Sequence, residues 1–354
     1  MAEAATPLRE RSIERLEKGF GLVFPFFAAL VVASLVLLVI GKNPLLVFSL
    51  IAEEAFGSTN RIAATLSATT PLLFTGVATA ICFRAGVFNV GVEGAFVVGG
   101  LGAAFIGFAL PSSLGILLVP IGFALAATVS AFWLAVPGYL LARYEIEEVV
   151  STLMLNFVAL GVTGYLVNGP LLSEKSGNNV TPLIHESAEL VRLIPPSTLH
   201  AGFLVGLFIL AAYGFWIRRT PAGIESAIVG QNRRFASAVG ISIPATIILV
   251  MVISGIVSGL GGASHALGQL HRFAEGFSPG YGFTGMAVAL LGRNTAIGIL
   301  FGSILFGALA SAGTTVQLFS DIPLDIVNII EGTVMIFAVV ELGRIALFRR
   351  KAVK

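Results

Sequence analysis

Polar residues that could carry chemistry stand inside otherwise apolar stretches of the sequence. They are Asn89, Glu93, Asn156 and Glu331, with Asn328 three residues before Glu331 on the same helical face. A charged side chain at the centre of a bilayer costs at least about 2.5 to 3.5 kcal/mol on insertion scales. Such a residue is therefore expected either to have a polar partner within the protein or to serve a function. Two interpretations are open: these residues neutralise arginines or bond across helix interfaces, or they line a pore or a solute path.

The sequence lacks the motifs of common enzymes. No GxxxxGK[ST] loop for nucleotide phosphates and no HExxH zinc motif occurs. The histidines (His185, His200, His265 and His271) are scattered, and the single cysteine, Cys82, cannot form an intramolecular disulfide. We expect no catalytic residue, no metal site and no cofactor in this chain.

Composition indicates an integral membrane protein. Of 354 residues 56% are hydrophobic and 11% are charged, and the mean hydropathy is +0.96, whereas a soluble domain has roughly 25% charged residues. Apolar runs recur along the whole chain with no long polar block between them, which favours one polytopic domain. The formal charge of +2 does not suggest nucleic-acid binding.

Membrane-spanning helices are predicted along the chain. A span needs roughly 20 apolar residues, because a rise of about 1.5 Å per residue must cross about 30 Å of hydrocarbon. The prediction is an all-α, polytopic fold with about ten such helices. The predicted ranges are Phe20–Ile40, Leu66–Phe83, Gly91–Leu110, Ile116–Leu141, Val149–Val167, Ala201–Ile217, Ile243–Ala263, Phe283–Leu291, Ile297–Ala312 and Ile326–Leu342. Phe283–Leu291 is too short to span alone.

The distribution of positive charge orients these helices. With both termini in the cytoplasm, five of the 21 lysines and arginines fall outside, namely Lys42, Arg61, Lys175, Arg192 and Arg272; Lys and Arg stay on the cytoplasmic side during insertion. The predicted organisation is a cytoplasmic segment 1–19, a transmembrane domain 20–343 and a basic cytoplasmic tail 344–354. Residues 168–200 form an outer loop, and residues 218–242 form a cytoplasmic loop.

The cytoplasmic loop contains GQNRRFASAVGI, residues 230–241, which is helical in character. Gly240 stands where a helix would end. A basic connector held by anionic head groups is one interpretation. The other is a short helix that docks a partner, since a lipid anchor would show a stronger apolar face.

The stretch RAGVFNVGVEG, residues 84–94, also has two interpretations. Asn89 and Glu93 would share one face of a regular helix, but the glycines at 86, 91 and 94 make a broken or re-entrant backbone equally compatible. Arg84 is expected at the inner boundary, where its charge reaches head groups and needs no buried partner.

Five stretches in register carry a resemblance to a known family. They are RAGVFNVGVEG (84–94), EEVVSTLMLNFVA (147–159), GQNRRFASAVGI (230–241), ISGIVSGLGGA (253–263) and GYGFTGMAVALLGRN (280–294). Together they resemble the permease subunits of ABC importers for simple sugars and nucleosides, a superfamily that includes ribose and branched-chain amino acid permeases. The chain is most similar to the longer of the two permeases of nucleoside importers.

This resemblance implies a permease for nucleosides or related purine or simple-sugar solutes in a bacterial cytoplasmic membrane. It implies a second permease, a periplasmic or lipid-anchored binding protein and a separate cytoplasmic ATPase that binds ATP and Mg. It also implies two halves related as inverted repeats. A weak similarity between AGVFNVGVEG and GYGFTGMAVALLG, each with glycines before a helix of small residues, is compatible with such repeats. Residues 89, 93, 156, 328 and 331 would then belong to the translocation path.

The resemblance further implies that GQNRRFASAVGI is the coupling helix that seats in a groove of the ATPase. The coupling residues would be Gly230, Asn232, Arg233, Arg234, Ala236, Gly240 and Ile241. The chain departs from the family pattern at Phe235 and Val239, where small residues are usual.

A stand-alone secondary transporter or channel is the alternative. It would be driven by an ion gradient acting through Glu93 and Glu331. Uptake by this chain alone in liposomes would favour that alternative, and a neighbouring gene for a nucleotide-binding subunit would favour the importer.

Overall fold

The computed structural model describes residues 28, 30–174, 176–319, 329, 331–333 and 336–337, with side chains of 314–319 excepted. The chain forms two compact units. One comprises residues 1–51 and 313–354, and the other comprises residues 52–312. The candidate site lies within the second unit. The predicted terminal segments 1–19 and 344–354 lie outside the described residues.

The described part of the chain is helical, which confirms the predicted all-α fold. The helices are α1 Leu30–Val39, α2 Pro44–Phe56, α3 Thr59–Arg84, α4 Val92–Ala109, α5 Leu118–Tyr144, α6 Glu148–Asn168, α7 Gly202–Arg219, α8 Pro221–Gln231, α9 Arg233–Ala238, α10 Ile243–His265, α11 Tyr281–Leu291 and α12 Ala296–Phe319. A 3-10 turn leads into α5 and a π turn, Ala266–Leu270, extends α10.

Seven helices of the described part are long and apolar enough to cross a membrane: α3, α4, α5, α6, α7, α10 and α12. The apolar helices α1 and α11 are shorter. Every predicted span between residues 66 and 312 coincides with one of these helices. The first predicted span is described in part, and most of the last lies outside the described residues.

Helices α3, α4 and α10 form the centre of the larger unit. The apolar window of α3 is 83% buried within the chain and that of α4 72%, against 22% for α5 and α6. Glycines allow the close approach of α4 and α10, because a Cβ on Gly262 would collide with the Phe96 carbonyl and a Cβ on Gly99 with the Gly259 backbone. Small residues permit such packing between helices where the hydrophobic drive is absent.

Two helices of the larger unit begin inside the bundle. The Ser258 hydroxyl donates to the Val92 carbonyl, at the start of α4. Ser258 follows the first residue of α10 by fifteen positions, which is about 22 Å at 1.5 Å per residue. The start of α11 lies at the same level, because Gly282 contacts Glu93. Residues 85–91, named here the re-entrant segment, therefore lead from the end of α3 into the bundle without helical structure.

The segment after α7 forms two short helices rather than one. Thr220 caps α8, accepting a hydrogen bond from the Gly223 N–H at 3.2 Å. The chain then breaks at Asn232, whose side-chain oxygen accepts from the Phe235 N–H at 3.0 Å and starts α9. An Asn side chain competes with helical backbone bonding in this way. Gly240, with a φ of 84°, follows α9 in the left-handed region.

The segment between α6 and α7 is largely irregular and pairs with the segment before α11. The Thr181 N–H donates to the Phe273 carbonyl at 2.9 Å, and the Glu275 N–H donates to the Asn179 carbonyl at 3.0 Å. The Asn179 amide also donates to the Glu275 carboxylate at 2.6 Å. These bonds fix the segment that leads into α11.

Candidate functional site

The site is built around the re-entrant segment and the first turns of α4 and α11. Asn89 lies in the segment and is fully buried. Its amide donates to the Ser254 hydroxyl of α10 at 3.1 Å and contacts the Cys82 sulfur at 3.6 Å. Its side-chain oxygen accepts from the Gly91 N–H at 2.8 Å. Asn89 thus joins α3, α10 and the start of α4.

One face of α6 satisfies the backbone of the re-entrant segment. Glu148, Thr152 and Asn156 are spaced four residues apart and therefore align on that face. The Phe88 N–H donates to the Glu148 carboxylate at 3.2 Å, and the Val90 N–H donates to the Thr152 hydroxyl at 3.2 Å.

Asn156 completes this polar face with bonds at both of its side-chain atoms. Its amide donates to the Val90 carbonyl at 3.0 Å, and its oxygen accepts from the Gly94 N–H at 2.9 Å. Non-helical backbone at membrane depth is tolerated only where its polar groups find partners in protein or water. The polar face of α6 supplies those partners.

Serines on α5 and α10 bind the first turn of α4 from the opposite side. The Ser258 hydroxyl donates to the Val92 carbonyl at 2.6 Å, and the Ser130 hydroxyl donates to the Ala95 carbonyl at 2.7 Å. Both serines are fully buried. The start of α4 is therefore held between α6 on one side and α5 and α10 on the other.

Glu93 caps the first turn of α11. Its carboxylate accepts from the Gly282 N–H at 2.6 Å, and the Ser278 hydroxyl is a further partner. A carboxylate is stabilised there because the unpaired N–H groups and the macrodipole make a helix N-terminus positive. Gly282 is required for this approach, because a Cβ would collide with the Glu93 backbone. Only 4% of Glu93 is exposed, so it is closed off in this conformation.

Aromatic rings cover this junction on the side of the α6–α7 segment. The Phe96 ring centroid lies 5.6 Å from that of Tyr281 and 5.7 Å from that of Phe277. The His265 ring lies 5.0 Å from Phe277. Tyr281 directly precedes Gly282, so this aromatic cluster lies beside the contact between Glu93 and Gly282. These groups were not predicted, because they come from three separate stretches of sequence.

The re-entrant segment also touches the short helices that follow α7. Gly86, with a φ of 70°, is so close to Gly230 that a Cβ on Gly86 would lie 3.1 Å from the Gly230 Cα. A Cβ on Gly230 would collide with the Arg84 carbonyl oxygen. The backbone at the end of α3 and the backbone at the end of α8 are therefore in direct contact.

The residues predicted for coupling occupy different positions around this contact. Arg233 and Arg234 are exposed, whereas Ala236 is fully buried. Asn232 caps α9, and the Ile241 N–H donates to the Ala236 carbonyl at 2.9 Å. Phe235 and Val239, which depart from the family pattern, are 55% and 52% exposed.

The structure brings Asn89, Glu93 and Asn156 together and does not relate them to the other predicted path residues. Asn328 lies outside the described residues, and Glu331 is helical and half-buried in the smaller unit. Within the described part of the chain no group of His, Cys, Asp and Glu could hold a metal ion. The sequence analysis did not predict five residues of the site: Glu148, Thr152, Ser130, Ser254 and Ser258. The four-residue spacing of Glu148, Thr152 and Asn156 is visible in the sequence and could have indicated the polar face of α6.

Comparison with known proteins places the chain in a family. Residues 61–339 match the family "Branched-chain amino acid transport system / permease component". The chain is 34% identical to the guanosine ABC transporter permease protein NupP of Bacillus subtilis, over 92% of this chain and 94% of that protein.

Two further relatives are similar over comparable lengths. The nucleoside ABC transporter permease protein NupB of Lactococcus lactis is 30% identical over 91% of each chain. The glucose ABC transporter permease protein TsgB13 of Haloferax volcanii is 29% identical over 90% of this chain and 86% of that protein. These relatives support a permease subunit and not the stand-alone transporter. The chain belongs to the branched-chain amino acid transport system permease family and is a multi-pass membrane permease of the ABC transporter class.

Proposed function

We propose that this chain forms the translocation path of an ATP-driven importer for nucleosides or related purine or simple-sugar solutes. The observation that carries the proposal is the re-entrant segment, which holds Asn89 beside the buried Glu93 at one end and touches Gly230 at the other. A movement of the loop that contains Gly230 therefore reaches the interior directly. The relatives named for guanosine, nucleoside and glucose transport support the solute class.

The path opens where α4 and α11 begin. Asn89, Glu93 and Asn156 have their polar atoms occupied by backbone or serine partners in this conformation. Separation of the two helix starts frees Glu93 and the first N–H groups of α11 to meet a polar solute. From the sequence alone we also propose Asn328 and Glu331 as path residues. Helix starts of this kind recur at solute sites in transporters built from discontinuous helices.

The loop 218–242 couples this movement to a separate ATPase, which binds ATP and Mg. The coupling residues are Gly230, Asn232, Arg233, Arg234, Ala236, Gly240 and Ile241. The exposed Arg233 and Arg234 lie on the outside of α9 and are available to the partner. A partner shifts a conformational equilibrium only through contacts that differ between its two states, and this loop provides such contacts beside Gly86.

The complete importer contains a second permease and a periplasmic or lipid-anchored binding protein. Relatives come in pairs: the guanosine permease proteins NupP and NupQ and the nucleoside permease proteins NupB and NupC are all similar to this chain. We place the assembly in a bacterial cytoplasmic membrane, with both termini and the loop 218–242 in the cytoplasm.

The proposal is tested by uptake of labelled guanosine into proteoliposomes that contain the full complex with ATP inside. Uptake should require ATP, and the double variant R233E/R234E should abolish uptake and co-purification of the ATPase without lowering the Tm. The matched control is R192E, an exposed arginine of the α6–α7 segment. ATP-independent uptake by this chain alone, or normal uptake by R233E/R234E, would contradict the proposal.

A further inference from the structure

Two arginines, one at the end of α3 and one between α11 and α12, have buried nitrogen atoms with no partner among the described residues. Arg84 ends α3, and Arg293 lies in the turn between α11 and α12. Both are half-buried, and Nε of Arg84 and Nη2 of Arg293 are fully buried with no hydrogen-bond partner. Among the described residues, the ion pairs involve Arg61 and His271 instead. A buried charged donor that lacks an acceptor is unfavourable, so an anion that is not among the described residues would stabilise these atoms.

Helix α7 lies near both arginines through Tyr213. The Tyr213 hydroxyl donates to the Asn294 carbonyl at 2.7 Å, directly after Arg293. The same hydroxyl lies within electrostatic range of Arg84. Gly214 allows this packing, because a Cβ there would lie 3.3 Å from the Ala296 Cβ. The end of α3 and the turn before α12 thus flank Tyr213.

The turn that carries Arg293 is held in an unfavourable backbone conformation. Arg293 and Asn294 have φ values of 50° and 53°, in the left-handed region that favours glycine. The Arg293 N–H donates to the Leu290 carbonyl at 3.0 Å, and the Asn294 N–H donates to the Ala289 carbonyl at 2.9 Å. Non-glycine residues held in this region often mark ligand sites.

The surroundings of the two arginines favour a lipid. Tyr213 precedes the exposed pair Arg218 and Arg219 at the end of α7 by five residues, about 8 Å along the helix. This depth suits a phosphate at the membrane interface. Phe208 and Phe215, on the opposite face of α7 from Tyr213, are 73% and 63% exposed, so α7 presents an apolar outer surface suited to a lipid environment.

We propose that Arg84 and Arg293 bind the phosphate of an anionic phospholipid in the leaflet on the α8 side. Guanidinium groups bind phosphate through paired, charge-assisted hydrogen bonds, and basic pockets between helices on the cytoplasmic side bind anionic head groups. Trp216, whose ring centroid lies 6.5 Å from that of Tyr213, is half-buried beside the site. Because the Arg84 carbonyl contacts Gly230, the lipid also stabilises the contact between the loop 218–242 and the end of α3.

Native mass spectrometry of the purified chain tests the proposal without ATPase or solute, and therefore independently of the proposed function. The chain is titrated with phosphatidylglycerol or phosphatidylcholine of identical acyl chains. Wild type should bind phosphatidylglycerol about tenfold more tightly, and R84Q/R293Q should lose this preference. The control R218Q/R219Q removes exposed charges at the end of α7 and should retain the preference for phosphatidylglycerol. An unchanged preference in R84Q/R293Q, or equal loss in both variants, overturns the proposal.

Two further measurements separate the lipid from other anions. Inorganic phosphate at the same concentration should not displace phosphatidylglycerol, and displacement would assign the site to a free anion and overturn the proposal. Normal lipid preference in R84Q/R293Q with loss of ATPase co-purification would assign the arginines to a protein partner. If R84Q/R293Q does not fold, R84K/R293K retains the charge without the forked geometry, and its preference should fall; an unchanged preference contradicts the proposal.

Discussion

The carboxylate of Glu93 accepts a hydrogen bond of 2.6 Å from the backbone N–H of Gly282, and this bond joins the first turns of α4 and α11 inside the bundle. The two residues are 189 positions apart in sequence. One helix start belongs to the early part of the chain and the other to the late part. In the proposed mechanism the two parts separate at this junction when a solute passes.

Replacement of Glu93 tests this junction. E93A leaves the Gly282 N–H buried without an acceptor, which costs about 1 to 3 kcal/mol, and we expect a lower Tm together with strongly reduced uptake. E93Q retains an acceptor oxygen but loses the charge that the α11 terminus favours, so its Tm should lie between those of E93A and wild type. E186Q, an exposed glutamate outside the bundle, is the control. Wild-type uptake and Tm in E93A would remove Glu93 from the site.

Replacement of Asn156 tests the polar face of α6. N156L leaves the Gly94 N–H and the Val90 carbonyl unpaired, and we expect a loss of about 2 kcal/mol or more and reduced uptake. T152V removes the acceptor for the Val90 N–H and should act in the same direction. F157L on the exposed face of α6 is the matched control. Thermal unfolding of the purified variants measures the effect, and an N156L protein as stable as F157L would contradict it.

The contact between Gly86 and Gly230 is tested at Gly230. A Cβ in G230A collides with the Arg84 carbonyl and displaces α8 from the re-entrant segment. We expect the complex to assemble but to hydrolyse ATP without proportional uptake. G161A is the control, since a Cβ at Gly161 meets nothing within 4 Å. Equal ratios of uptake to hydrolysis in G230A and G161A would show that this contact transmits no movement.

Acidification should destabilise the protein through His200. Burial, together with the nearby charge of His271, lowers the pKa of His200 from 6.5 to about 4. The unfolded chain therefore binds a proton that the folded chain resists, so stability is full above pH 6.5 and is lost as the pH falls toward 4. The largest loss in the free energy of unfolding that this pKa difference can cause is about 3 kcal/mol.

The imidazoles of His265 and His271 also lie near His200, and the Glu189 carboxylate lies 3.7 Å from His271. Their contribution remains when His200 is replaced. The decrease in Tm between pH 7.5 and pH 5 should consequently be smaller in H200Q than in wild type. An equal decrease in both proteins would assign the acid sensitivity to the other groups.

The sequence predicted the helices well because a span is a local property of about 20 apolar residues. It left the stretch 84–94 open between a regular and a broken helix, since that choice depends on distant partners: Thr152 lies 62 positions from Val90, and Ser254 lies 165 positions from Asn89. Asn156 was predicted as a path residue, and its backbone bonds to Val90 and Gly94 could not be read from local spacing. Helical structure was predicted for residues 230–241, and α9 lies within them, but the break at Asn232 was not predicted, because it depends on side-chain capping that competes with helix continuation.

The partners of the re-entrant segment also constrain the order in which the protein matures. Its polar backbone is satisfied by Thr152 and Asn156, its Asn89 by Ser254, and the neighbouring Glu93 by Gly282. All of these partners follow residues 85–91 in the chain, by at least 57 positions, and are therefore synthesised later. The early helices therefore lack some of their hydrogen-bond partners until α11 has been synthesised, so we expect the interior of this permease to finish folding only with its C-terminal half.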